Sequence, residues 1–175
     1  MRLLPVLAIS IASLTLVGCS TTTPEAIPTS SAVEQAPAFA SDEEALAAAQ
    51  AAYAEYLSVS DQIARDGGSN PERLQKLTSK KQYEIELGPL MSISESGGRM
   101  EGESSFDSIH LQDYSNSSVS AYLCLDNSAV SLVKADGTRE TPEVLRWPLI
   151  VNFERSNSGK FVLSGSETWT GENFC

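Results

Sequence analysis

The side chains with the most scope for chemistry are three cysteines, Cys19, Cys124 and Cys175, and a single histidine, His110. A zinc site built from four such ligands would need the histidine and all three cysteines together, so we expect no metal site and no cofactor. A thiol can instead accept a lipid, form a disulfide, or act as a nucleophile beside a base. The sequence around each cysteine favours one of these roles over the others.

Cys19 lies directly after a short apolar leader. A positive charge at Arg2 precedes an apolar stretch over 3–17, which is shorter than the roughly 20 residues that a bilayer crossing needs. The stretch ends Leu16-Val17-Gly18-Cys19, which resembles the lipobox of bacterial lipoproteins. The resemblance implies cleavage before Cys19 and a diacylglycerol thioether on its sulfur, with fatty acyl chains such as palmitate inserted in the lipid bilayer. The alternative is an ordinary signal peptide with an incidental cysteine.

The lipobox divides the chain into three regions. Residues 1–18 form the lipoprotein signal peptide, 19–40 the lipidated cysteine with a disordered tether, and 41–175 a single α+β domain. The tether is rich in Thr, Ser, Pro and Ala and has no apolar periodicity, so it cannot offset the entropy of ordering. We therefore expect a protein anchored by lipid to the extracytoplasmic face of the cell membrane.

The charge balance narrows the range of partners. The chain has 12 Lys and Arg against 23 Asp and Glu, and its formal net charge is −11. Such an acidic chain repels phosphate backbones, so we expect no nucleic-acid partner. It should also be repelled by anionic lipid headgroups, so the acyl chains and not a basic patch should hold it to the membrane.

The first half of the domain has helical periodicity. Ser41 and Glu44 form a capping box before an apolar stripe that predicts one long helix, ending near Asp66 with Gly67-Gly68 as its left-handed C-terminal cap. Asn70-Pro71 predicts the cap and first turn of a short second helix. A third helical stretch begins after Ser79, and Gly88-Pro89 should break or kink it.

The second half of the domain has the alternation of strands. From Arg99 onward, four apolar–polar runs are separated by Asn, Asp, Gly and Ser turn signals. These runs predict a four-stranded antiparallel meander. The fold class is therefore α+β, with three N-terminal helices, one of them long, packed on a curved four-stranded antiparallel sheet.

This order of elements resembles the cone-shaped rolls of nuclear transport factor two, SnoaL-type cyclases and ketosteroid isomerase. The resemblance covers roughly residues 42–175 and rests on the order and length of the elements. It implies that the helices cover one face of a curved sheet, with a cone interior that is either an open pocket or filled. The fold alone does not define the function.

Cys124 and Cys175 are predicted to form a disulfide, because both would be exported to an oxidising compartment. Cys124 lies in the second predicted strand, and Cys175 follows the fourth. Trp169 and Phe174 should pack close by. The alternative is a nucleophilic thiol at Cys124, for which His110 is the available imidazole base.

His110, Tyr122 and Tyr53 are the candidate pocket residues. In a regular strand, Asp107 and Asp113 would point to the face opposite His110, so a local acid–histidine pair is not expected. We expect a non-catalytic binding or interaction module, not an enzyme, with an unknown protein or small-molecule partner. The alternatives are a small-molecule-binding cone with an apolar pocket, or an isomerase- or cyclase-like enzyme that uses His110.

Overall fold

Three helical segments precede the strands in the computed structural model, which describes residues 38–175. Helix α1 spans Asp42–Arg65, a 3-10 helix spans Pro71–Lys76, and helix α2 spans Lys80–Glu95. The leader, the lipobox and Cys19 lie outside the described residues. Within the described range, no helix is both long and apolar enough to cross a bilayer.

Helix α1 begins and ends where its capping residues predict. The Ser41 hydroxyl accepts a hydrogen bond from the Glu44 amide, at 3.3 Å. Beyond the last turn, Gly67 and Gly68 have φ of 67° and 77°. The Gly68 amide donates to the Ile63 carbonyl at 2.8 Å, which satisfies a helix-terminal acceptor in the left-handed geometry that favours glycine.

Two details of the other helices differ from the sequence predictions. Asn70 has φ 54° and its side chain makes no capping hydrogen bond. Helix α2 continues through Pro89 instead of breaking there. The proline has no amide hydrogen to donate to the carbonyl of Ile85, and Ile85 is 56% exposed on the helix surface.

The strands form two antiparallel sheets. In chain order they are β1 Arg99–Glu101, β2 Ser105–Tyr114, β3 Ser118–Asp126, β4 Ser131–Val133, β5 Arg139–Glu140, β6 Arg146–Arg155 and β7 Phe161–Thr168. The larger sheet has the order β2-β3-β6-β7, and this confirms the predicted four-stranded antiparallel sheet. A smaller sheet, β1-β4-β5, was not predicted, because its strands have only two or three residues each.

The core lies between the helices and one face of the larger sheet, which we call the inner face. Its largest fully buried side chains include Tyr53 and Ile63 of α1, Leu123 of β3 and Phe153 of β6. These side chains belong to one buried hydrophobic cluster.

Phe39 closes one end of this core. Its ring stacks on Phe161 of β7, with centroids 5.1 Å apart, and meets Tyr114 of β2 edge-on at 5.7 Å. Since β2 and β7 are the two edge strands, contact with both requires a curved sheet. Phe39 is only 7% exposed, so this residue, assigned by composition to the tether, belongs to the folded domain.

A β-bulge interrupts β2 and corrects the predicted facing of its side chains. The pairing with β3 shifts between Asp107 and His110, and Ser108 between them has φ 50°. Asp107 pairs with Cys124 and His110 pairs with Tyr122, so both lie on the same face of the sheet. An unbroken strand would have placed them on opposite faces.

Candidate functional site

The three candidate pocket residues do not come together. His110 and Tyr122 face each other across β2 and β3, on the sheet face that points away from α1, which we call the outer face. Tyr53 is buried on the opposite side of the sheet, with its ring edge-on to Phe106 at 4.9 Å. The structure therefore joins the histidine and one tyrosine, and it places the other tyrosine in the core.

The two core tyrosines, Tyr53 and Tyr56, are weaker acids in this environment than a tyrosine in water. Burial raises the pKa of Tyr53, and the carboxylates of Glu86 and Asp61 add to the effect. Burial also raises the pKa of Tyr56, and the negative charge of Glu86 raises it further by disfavouring the Tyr56 anion. Both hydroxyls remain protonated at neutral pH because ionisation would place a negative charge in an apolar setting beside existing negative charge.

Residues 169–175, the covering segment, cross the outer face. The Trp169 amide donates to the Pro148 carbonyl at 2.9 Å, which continues the β6–β7 pairing beyond β7. The indole of Trp169 then packs edge-on against Tyr122, with centroids 4.9 Å apart. Farther along, the ring of Phe174 lies 6.3 Å from that of Tyr122 and 6.4 Å from that of His110. These four rings form an aromatic cluster on the outer face.

A disulfide between Cys124 and Cys175 fastens the covering segment to β3. The two Cα atoms are 5.6 Å apart, within the usual range for a disulfide. Cys124 is fully buried beneath the segment. The predicted pairing is confirmed, and so is the packing of Trp169 and Phe174 on this face. The sulfur of Cys124 is therefore committed to a crosslink and is not a free nucleophile.

Arg146 supplies the polar border of the aromatic cluster. Its guanidinium donates to both carboxylate oxygens of Asp107, at 2.6 and 2.7 Å, and to Asp126 at 3.4 Å. Its Nε donates to the Cys175 carbonyl at 3.3 Å. Arg146 thus ties strands β2, β3 and β6 to the covering segment. Sequence reasoning missed this residue, because no spacing links Arg146 to acids 20 and 39 positions away.

The ion pair with Arg146 predicts an acid-dependent loss of stability. Hydrogen bonding to Arg146 lowers the pKa of Asp107 from 3.8 to about 2. A carboxyl with a depressed folded-state pKa stabilises the fold above its unfolded pKa, and this contribution is lost as the pH falls from about 4 through about 2. Asp107→Asn should reduce this pH dependence, measured as the urea midpoint over that interval. Asp113→Asn, on the same strand, is the control and should keep the wild-type profile; an unchanged slope in Asp107→Asn would contradict the assignment.

The side chains of the outer face are better suited to contacting a partner than to reacting with a substrate. Within residues 38–175, His110 makes no hydrogen bond to a carboxylate that could orient it as a base. In the same range, no three side chains of His, Cys, Asp or Glu cluster as metal ligands. What the face does offer is a partly exposed aromatic cluster, with Phe174 39% exposed, beside a charged border. Such a combination of aromatic side chains and Arg is typical of protein interfaces.

Neither protein-family models nor curated protein sequences match this chain. Solved structures do. The intermembrane space region of the chloroplast protein ARC6 is similar at a TM-score of 0.51 and 10% identity, over 69% of this chain and 92% of that chain. At that identity the likeness concerns the fold alone, and it supports an α+β domain.

Two further structures are similar at lower scores. The protein Aln2 from a Streptomyces species has a TM-score of 0.45 and 14% identity, over 73% of this chain and 92% of that chain. A protein from Catenulispora acidiphila in complex with S-DNPA has a TM-score of 0.44 and 15% identity, over 70% and 94% respectively.

Proposed function

We propose that this protein is a lipid-anchored, extracytoplasmic binding module without catalytic activity, whose folded domain is a filled cone roll. The observation that carries the proposal is the aromatic cluster on the outer face, held in place by the Cys124–Cys175 disulfide. The anchor is inferred from Leu16-Val17-Gly18-Cys19, and the disulfide is consistent with export to an oxidising compartment.

The occupant proposed for the outer face is another protein. Three large side chains, Tyr53, Leu123 and Phe153, are buried in the interior, where an open cone would receive a small molecule. The outer face combines a half-exposed phenyl ring with a charged border, and aromatic anchors of this kind carry much of the binding energy at protein interfaces. A crosslinked segment also lowers the entropy cost of binding, since its side chains are already ordered.

The anchor and the interface are tested separately. Mass spectrometry of the N-terminal peptide should find Cys19 as the first residue, carrying a diacylglycerol thioether. Cys19→Ser should abolish the acylation, and the protein should accumulate with its leader attached. An unmodified Cys19 in protein isolated from membranes would remove the anchoring part of the proposal.

The interface is tested by capture from detergent-solubilised membranes with matched variants. Phe174→Ala should weaken recovery of the partner roughly tenfold, as expected when a central aromatic side chain is lost. Met91→Ala removes a comparably exposed apolar side chain, 52% exposed on α2, and should leave recovery unchanged. A free-thiol assay is used to check that the Phe174→Ala variant retains the Cys124–Cys175 disulfide. Equal recovery by both variants would exclude the outer face as the interface.

A further inference from the structure

Cations without a carboxylate partner are concentrated at one place on this acidic domain. Residues 38–175 contain 11 Lys and Arg against 21 Asp and Glu. Seven of the 11 cations form ion pairs with carboxylates: Arg65, Arg73, Lys80, Arg99, Lys134, Arg139 and Arg146. The four described cations that form none are Lys76, Lys81, Arg155 and Lys160. Three of these four border a single cleft.

This cleft, which we call the basic cleft, has a volume of about 650 Å³ and lies between the start of α2 and the β6–β7 turn. Lys76 lies on one side, and Arg155 and Lys160 lie on the other. Lys80 also lines the cleft; its side chain is almost fully exposed and only loosely paired with Glu84, at 3.9 Å. Two acids, Glu55 and Glu154, line it as well, so four cations outnumber two carboxylates.

The fold holds the two sides of the basic cleft in a fixed relation. The Leu163 amide of β7 donates to the Leu77 carbonyl at 2.9 Å, and the Ser79 amide donates back to the Leu163 carbonyl at 2.8 Å. These bonds attach the segment that bears Lys76 and Lys80 to the edge of the sheet. The opposing cations therefore do not need to be brought together by a ligand, which reduces the entropy cost of binding an anion.

The polypeptide enters the domain beside the same cleft. The Ala38 amide donates to the Asn116 side-chain carbonyl at 2.7 Å. The Arg155 Nε donates to the Asn116 main-chain carbonyl at 3.2 Å, and its guanidinium lies over the Phe161 ring, 4.9 Å from the centroid. Phe161 also stacks on Phe39. Ala38 and Arg155 are thus joined through one residue, Asn116, so the described part of the chain begins next to a residue that lines the basic cleft.

We propose that the basic cleft binds the phosphate groups of anionic lipid headgroups in the membrane that carries the Cys19 anchor. This inference rests on the anchoring in the proposed function. The net charge of the domain does not prevent it, because charges more than a Debye length of about 8 Å from the surface are largely screened at physiological salt. The cations nearest the membrane then determine which end of the domain faces it.

The test is amine labelling of intact protein isolated from membranes. The protein is reconstituted in vesicles of phosphatidylcholine alone, or of phosphatidylcholine with phosphatidylglycerol, and lysine modification is quantified by mass spectrometry. Lys76, Lys80 and Lys160 should be labelled roughly fivefold more slowly in the anionic vesicles, the factor equivalent to about 1 kcal/mol per cation at an anionic surface. Lys81 has no carboxylate partner and lies outside the cleft, so its labelling should not change. About 1 M salt should remove the difference.

Variants and soluble anions distinguish headgroup binding from binding of a free anion. Replacing Lys76 and Lys160 together with glutamine should abolish protection of Lys80, and Lys81→Gln should not. Equal labelling in both vesicle types, or equal protection of Lys81, would overturn the proposal. Protection by pyrophosphate in detergent but not by anionic vesicles would assign the cleft to a soluble anion and also overturn it. If the N-terminal peptide lacks acyl chains while protection persists, headgroup binding stands and the anchor does not.

Discussion

Cys175→Ser should lower the free energy of unfolding by about 4 kcal/mol, the chain-entropy value for a loop of this size. The crosslink joins residues 51 apart and encloses β4, β5, β6 and β7. Without it, the unfolded chain gains conformational freedom, and the covering segment loses its attachment to β3. The measurement is equilibrium urea unfolding of the wild type and the variant under non-reducing conditions.

A reductant provides the matched control for this prediction. Dithiothreitol should shift the unfolding midpoint of the wild type to that of Cys175→Ser, and it should leave the variant unchanged. The Cys124→Ala, Cys175→Ala double variant should behave like Cys175→Ser to within the cost of removing the buried sulfur atom of Cys124. A midpoint for Cys175→Ser within experimental error of the wild type would show that the disulfide contributes little to stability.

Phe153→Ala should reduce the free energy of unfolding by about 3–5 kcal/mol, the usual cost of truncating a fully buried phenylalanine. Phe153 is 1% exposed in the middle of the inner-face core. Its removal takes away both the transfer energy of the ring and the contacts of the side chains around it. Urea unfolding measures the loss, and Val144→Ala, at 60% exposure, is the control and should change stability by less than about 0.5 kcal/mol.

The same variant tests whether the cone interior is filled. If Phe153 occupies the volume that a ligand pocket would need, its removal creates an apolar cavity that can admit a small aromatic molecule. Benzene should then raise the unfolding midpoint of Phe153→Ala and have no effect on the wild type. Stabilisation of the wild type by benzene would indicate an open pocket and favour the small-molecule alternative.

Local signals were sufficient to predict most of the fold. The Ser41 cap, the Gly67-Gly68 terminus and the four alternating runs depend on short-range chemistry, and each was found where the sequence placed it. The disulfide was also predictable, because only two cysteines remained after Cys19. The continuity of α2 through Pro89 was not, since a proline inside a helical pattern ordinarily breaks or kinks the helix.

The candidate site was less predictable, because it depends on long-range register. The Ser108 bulge reverses the facing of Asp107 relative to His110, and no glycine occupies the position of positive φ to mark it in the sequence. The partnership of Arg146 with Asp107 follows from that bulge. Composition correctly describes an acidic chain, but a net charge contains no information about where the few unpaired cations lie.

The position of Phe39 has a mechanical consequence for a chain held at its N-terminal side. Tension applied along the backbone at Ala38 would load the hydrogen bond to Asn116 first and then the ring of Phe39, which packs against residues of β2 and β7. A pull from that side would therefore load the contacts of Phe39 with both edge strands before it loads the pairing between neighbouring strands.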